Sequence, residues 1–72
     1  MRRLDLSGLQ CPLPTLRTLK ALRDLAPGEV LEVLATDPMA ATDLPEAVQA
    51  AGAAVDLEQA VDGVLRFTIR WP

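Results

Sequence analysis

The residues with the clearest chemical potential lie in the segment Gly8-Leu9-Gln10-Cys11-Pro12-Leu13-Pro14. Cys11 is the only cysteine in the chain, and it precedes the expected first helix. Pro12 suits the first helical position, because that N–H has no helical partner and the proline φ is already helical. Cys11 is therefore predicted at the N-cap, where backbone N–H groups and the helix dipole lower a thiol pKa. We expect Gly8, Pro12 and Pro14 to position this thiol.

The alternative interpretation of Cys11 is a buried small hydrophobe, which is the commonest environment of a lone cysteine. The flanking prolines argue against it, because a core cysteine does not require them. The chain contains no histidine, which excludes a Cys–His nucleophilic pair and a conventional Cys/His zinc site. We therefore expect no metal, and a carrier or transfer role fits Cys11 better than self-contained catalysis.

Length and composition favour one small domain spanning residues 1–72. Half of the residues are hydrophobic (50%), but with one Phe and one Trp the core must consist of Leu, Val, Ala and Ile. One cysteine excludes an internal disulfide, and no apolar run suits a membrane span or signal segment. We expect a cytoplasmic monomer. The net charge of −3 argues against nucleic-acid binding, which depends on Lys and Arg.

Hydrophobic periodicity and turn residues predict six elements in the order β-α-β-α-β-β. The strands are expected at residues 2–6, 29–35, 53–61 and 64–71, and the helices at residues 12–25 and 38–51. Asp62-Gly63 predicts a tight turn between the last two strands. The first crossover makes strands one and two parallel. The expected fold is an α/β two-layer sandwich, with a four-stranded mixed sheet and two helices on one face.

The second helical segment contains acidic residues that could act as catalytic carboxylates: Asp37, Asp43 and Glu46. Asp37 also fits a helix N-cap, and Pro45 predicts a kink or a fresh helix start that Asp43 would cap. Because caps are needed at both places, capping is favoured over catalysis for the two aspartates.

The first helix divides into two faces when its residues are spaced by about 100°. One face should contact the sheet, through Thr15, Thr18, Leu19, Leu22 and Leu25. The other face carries cations and two leucines, and could be an ordinary solvated surface. Exposed leucines among cations are unusual on such a surface, so we favour a partner-docking patch beside the thiol. This docking patch comprises Leu13, Leu16, Arg17, Lys20 and Arg23.

The run Leu4-Asp5-x-x-Gly8-Leu9-x-Cys11-Pro12-x-Pro14 resembles the signature of the TusA/SirA-like sulfur-carrier family, whose members share a Cys-Pro-x-Pro motif. The likeness covers nearly the whole chain. It continues through Pro27-Gly28-Glu29, Ala35-Thr36-Asp37-Pro38, Asp43-x-Pro45, Gly52, Gly63 and the closing strand. The family fold is a β-α-β-α-β-β two-layer sandwich, which agrees with the predicted order.

This resemblance implies that Cys11 accepts sulfane sulfur as a persulfide and relays it to a partner protein. The donor would be a protein such as a cysteine desulfurase or a rhodanese, and the recipient a downstream thiol acceptor protein. No cofactor is expected other than the covalent persulfide. Family members serve tRNA thiolation, cofactor assembly or sulfur oxidation. Leu13 stands where tRNA-thiolation members often carry an acid, so the pathway stays open.

Two other functions compete with the sulfur carrier. In the first, the protein is a non-catalytic regulatory or interaction module, and Cys11 is only a redox-sensitive residue. The second is direct RNA binding, because the family fold is like the C-terminal domain of bacterial translation initiation factor 3. Fold analogy is weak evidence for function, and the acidic charge balance opposes RNA binding.

Overall fold

The computed structural model describes residues 2–59 and 61–72, which alternate strands and helices before closing on two strands. The elements are β1 (Arg2–Leu6), α1 (Leu13–Leu22), β2 (Val30–Ala35), α2 (Ala40–Ala50), β3 (Ala54–Gln59), a short 3₁₀ turn (Val61–Gly63) and β4 (Leu65–Arg70). This order confirms the predicted fold. The helices have 10 and 11 residues, and neither described helix is long and apolar enough to cross a membrane.

The four strands form one mixed sheet in the order β1-β2-β4-β3. β1 runs parallel to β2, whereas β4 pairs antiparallel with both β2 and β3. One row of the sheet joins Leu4, Val33, Phe67 and Leu57 across all four strands. β2 is a central strand, and its residues alternate between buried and partly buried because the helices cover only one face of the sheet.

The core lies between the sheet and the two helices, which pack on the same face. Strand β4 shows the alternation most clearly, since Leu65, Phe67 and Ile69 are buried while Arg66 and Arg70 are exposed. The strands and helices supply the buried side chains of Leu31, Val33, Leu22, Leu44 and Val48. The opposite sheet face is polar and carries an ion pair of 2.7 Å between Arg3 Nε and Glu32 Oε1.

Both helices begin later than predicted. Leu13 is the first helical residue of α1 because its N–H donates to the carbonyl of Gln10 (2.9 Å) in a preceding turn. α2 begins at Ala40, after a turn in which Met39 N–H donates to Asp37 Oδ1 (3.0 Å). Asp37 therefore shapes the approach to the helix rather than occupying its N-cap, which is Met39.

The predicted fresh start at Pro45 is wrong, because α2 runs continuously from Ala40 to Ala50. A proline removes one N–H donor, but the neighbouring residues Leu44 and Val48 are fully buried against the sheet. Their packing holds both halves of the helix in one register. Asp43 therefore lies in the first turn of a single helix and caps no second one.

The connection between β3 and β4 is longer than a two-residue turn, since the last paired residues are Gln59 and Leu65. Asp62 (φ 71°) and Gly63 (φ 76°) both adopt the left-handed conformation that their turn dipeptide predicts. The predicted third strand extended through Ala60, which lies outside the described residues.

Truncating a buried leucine of α2 should destabilise the protein more than truncating an exposed leucine of α1. Leu44→Ala removes a fully buried side chain and should lower the free energy of unfolding by about 2–5 kcal/mol. Leu16→Ala is the matched control, since the side chain of Leu16 is 55% exposed on α1. Urea unfolding followed by circular dichroism measures both. Equal losses in the two variants would contradict the assigned core.

Candidate functional site

The candidate site lies where the parallel strands β1 and β2 end and both helices begin. Because the strands are adjacent and parallel, their carboxyl ends meet at one edge of the sheet. The loop after β1 carries Cys11, and the loop after β2 carries Thr36 and Asp37. Residues that are more than twenty positions apart in sequence are therefore neighbours.

Two hydrogen bonds tie these loops together. The Gly8 N–H donates to Thr36 Oγ1 (2.8 Å), and the Cys11 N–H donates to Asp37 Oδ2. Gly8 has a φ of +85°, a left-handed conformation in which a side chain would be strained. The glycine therefore lets the chain turn out of β1 and meet the second loop.

The two prolines of the motif have different environments. Pro14 is fully buried, and its carbonyl accepts a hydrogen bond of 2.7 Å from the buried Thr18 hydroxyl. Pro12 is exposed, follows Cys11 through a cis peptide bond and occupies the N-cap of α1. The prediction that Cys11 itself is the N-cap is therefore wrong. Pro14 anchors the helix start in the core, while the Cys11 side chain stays exposed and is not a core hydrophobe.

The Cys11 thiol contacts a carboxylate of the second helix. Its Sγ donates to Asp43 Oδ2 at 3.4 Å. The sulfur borders a shallow pocket between the starts of α1 and α2, which has no room for a water molecule. This pocket, called the thiol pocket below, is lined by Cys11, Pro14, Thr15, Asp37, Ala40 and Asp43.

These contacts raise the pKa of the Cys11 thiol above its ordinary value. The hydrogen bond to Asp43 is the largest cause, followed by desolvation and by the negative charges of Asp43 and Asp37. The direction is opposite to the predicted lowering by the helix N-terminus. Pro14 stands at the second helical position and has no N–H to offer a thiolate, so the nearby carboxylates dominate.

Sequence reasoning missed the contact between Asp43 and Cys11, because capping accounted for both aspartates. Parallel pairing of β1 and β2 places the starts of α1 and α2 side by side, and Asp43 lies in the first turn of α2. A carboxylate at that helix start was the available signal. The third acid of this segment, Glu46, is exposed further along α2 and does not line the thiol pocket.

The docking patch is only partly contiguous. Leu13 and Leu16 are 42% and 55% exposed, and together with Arg17 and Lys20 they line one shallow groove on the outer face of α1. Arg23 instead borders a separate groove between the far ends of the two helices, next to the half-buried Trp71. Trp71 is partly buried and packs against the core.

In the described part of the chain, no group of three or more His, Cys, Asp or Glu side chains is arranged so that it could bind a metal ion. The chemistry available at the thiol pocket is that of one sulfur atom beside two carboxylates.

The chain is similar to known proteins over nearly its whole length. Residues 2–71 match the family model described as Sulfurtransferase TusA. The chain is 42% identical to a candidate sulfur carrier protein of Archaeoglobus fulgidus, over 97% of this chain and 92% of that protein. It is 39% identical to the sulfur carrier protein TusA of Allochromatium vinosum, over 93% and 88% respectively. The crystal structure of a SirA-like protein from Desulfitobacterium hafniense superposes with a TM-score of 0.87 at 30% identity, covering 96% of this chain and 95% of that one.

The raised pKa of Cys11 predicts how its alkylation depends on pH. Iodoacetamide reacts with the thiolate, so the rate should rise at higher pH in the folded protein than in urea. The unfolded chain loses this proton first, so the stability linked to Cys11 is present below the unfolded pKa and is lost as pH rises through the folded pKa. Cys11→Ser should lack this alkaline loss. An alkylation midpoint that is equal or lower in the folded state would contradict the assigned contacts.

Proposed function

We propose a function for this chain on the basis that it belongs to the TusA sulfurtransferase family. In this proposal the protein is a sulfur carrier whose Cys11 holds sulfane sulfur as a persulfide between a donor protein and an acceptor protein. The observation that carries it is the exposed thiol of Cys11. The backbone N–H of this residue donates to Asp37 Oδ2, which fixes Cys11 at the edge of the sheet where both helices begin.

The proposed chemistry is two successive exchanges at sulfur. In loading, the Cys11 thiolate attacks the outer sulfur of a donor persulfide, a new S–S bond forms, and the donor leaves as a thiolate. In unloading, an acceptor thiolate attacks the outer sulfur of Cys11-S-SH, and Cys11 leaves as a thiolate. The proton of each attacking thiol is released to water or to the departing thiolate. No external oxidant is needed, because one sulfur–sulfur bond replaces another in each step.

The single cysteine makes this protein dependent on its partners. With no second thiol in the chain, Cys11 cannot release its sulfur by forming an internal disulfide. The sulfur must leave to a thiol of another protein. A cysteine desulfurase or a rhodanese is the proposed class of donor, and the acceptor is defined by an accessible thiol. The cargo is bound covalently, so the proposal requires no cofactor.

The groove on α1 supports a docking role for part of the predicted patch. Leu13 and Leu16 are exposed beside Arg17 and Lys20, immediately after the Cys-Pro segment. An acidic surface with apolar residues on a partner would complement this groove and bring its own sulfur near Cys11. Arg23 would contribute only to a partner that also reaches the second groove.

Sulfur loading is measured by intact-protein mass spectrometry after incubation with a cysteine desulfurase and cysteine, or with a rhodanese and thiosulfate. The expected result is a gain of one sulfur atom that a reductant removes. Cys11→Ser should show no gain, because it lacks the accepting thiol. No gain in the wild-type protein with either donor would contradict the carrier function and favour a redox-sensitive interaction module.

Charge reversal on α1 tests the docking groove. Arg17→Glu combined with Lys20→Glu should slow sulfur transfer from the donor roughly tenfold at low salt, because the cations no longer attract an acidic partner. The matched control is Arg66→Glu with Arg70→Glu, which makes the same change in net charge on the opposite face of the sheet. If both double variants transfer sulfur at the wild-type rate, docking through this groove is wrong.

A further inference from the structure

We propose that Asp43 keeps the Cys11 thiol of the free protein in its protonated, weakly nucleophilic form. The sulfur becomes strongly nucleophilic only when its hydrogen bond to Asp43 is broken. This contact between Cys11 Sγ and Asp43 Oδ2 is called the reserve contact below. The inference rests on the proposed function and adds a regulatory device to the same sulfur atom.

The chemistry of the two groups decides which of them supplies the hydrogen. An ionised carboxylate can only accept a hydrogen bond, so in the reserve contact the hydrogen must come from the thiol. A thiolate has no hydrogen to donate, and its charge would be repelled by Asp43 and by nearby Asp37. The reserve contact and the nucleophilic form of Cys11 therefore exclude each other.

Both partners of the reserve contact are held in place. The Asp43 N–H donates to the carbonyl of Met39 (3.0 Å), and the next residue, Leu44, is fully buried. On the other side, the Cys11 backbone is tied to Asp37. The two side chains therefore meet through fixed elements of the fold.

The charged side chains around the sulfur also oppose the thiolate. From α1, the thiol pocket receives Pro14 and Thr15, which carry no charge. From α2 and the loop before it, the pocket receives Asp37, Ala40 and Asp43. Both titratable neighbours of Cys11 in the pocket lining are thus carboxylates, and both disfavour the thiolate.

The reserve contact also distinguishes the empty carrier from the loaded carrier. After sulfur transfer, Cys11 Sγ is bonded to carbon and to the outer sulfur, and it no longer carries a hydrogen. The inner sulfur of the persulfide then cannot donate to Asp43 Oδ2. Loading therefore breaks the reserve contact, and unloading allows it to form again. An empty carrier is protected from adventitious alkylation until a partner's docking displaces Asp43 or brings a cation beside it.

The test is the ionisation of Cys11 in Asp43→Asn and Asp43→Ala. The chain has one cysteine and no tyrosine, so the rise in ultraviolet absorbance on alkaline titration reports this thiolate without interference from tyrosinate. Both variants should ionise at lower pH than the wild type. The asparagine variant should ionise at the lowest pH, because its amide can donate to the thiolate. Alkylation by iodoacetamide at neutral pH should be severalfold faster in both variants.

The matched control is Glu46→Gln, which removes the same charge from the same helix at a residue outside the thiol pocket. It should titrate like the wild type, and circular dichroism should show that all variants keep the fold. Ionisation of both Asp43 variants at the wild-type pH or above it would overturn the proposal, as would an equal shift in Glu46→Gln.

These measurements use the free protein without a sulfur donor, so they are independent of the mass-spectrometric loading assay. Faster alkylation of the Asp43 variants together with failed loading would leave the reserve contact intact and remove the carrier function. Successful loading with unchanged ionisation would do the reverse.

Discussion

The parallel pairing of β1 with β2 is the constraint on which the rest of the site depends. It brings the ends of two strands to one edge, and hydrogen bonds from Gly8 and Cys11 then join the loops that follow them. The same pairing sets the starts of α1 and α2 side by side, because each helix follows its strand on the same face of the sheet. A sulfur atom meets two carboxylates there, although Cys11 lies 26 residues from Asp37 and 32 residues from Asp43 in the sequence.

The small core packs against the edge of the sheet where the thiol pocket lies. Pro14 and Leu44 are both fully buried, and each lies within two residues of a side chain that reaches the thiol pocket. Packing in the core thus fixes the helix starts, and the helix starts fix the reacting group. A domain of this size has few buried side chains, so the residues that position the site also contribute to the stability of the fold.

The environment of Cys11 suits a carrier better than an enzyme that completes a reaction alone. A thiol intended for independent attack is usually surrounded by cations or by helix N–H groups, which favour the thiolate. Here the neighbours of the sulfur are carboxylates, while the cations Arg17 and Lys20 line a separate groove on the outside of α1. The charges that restrain the sulfur and the charges that would attract a partner therefore lie on different surfaces.

Local patterns in the sequence determined the order of the elements, the alternating faces of β4 and the exposed side of α1, because each depends on residues close together in the chain. The sequence also determined the family to which the chain belongs. The N-cap assignment of Cys11 and the fresh start at Pro45 failed, since packing of Pro14 and Leu44 outweighed local preference. Only the tertiary structure decided the direction of the Cys11 pKa. That direction depends on Asp43, which lies 32 residues away and reaches the sulfur only after two helices pack on one sheet.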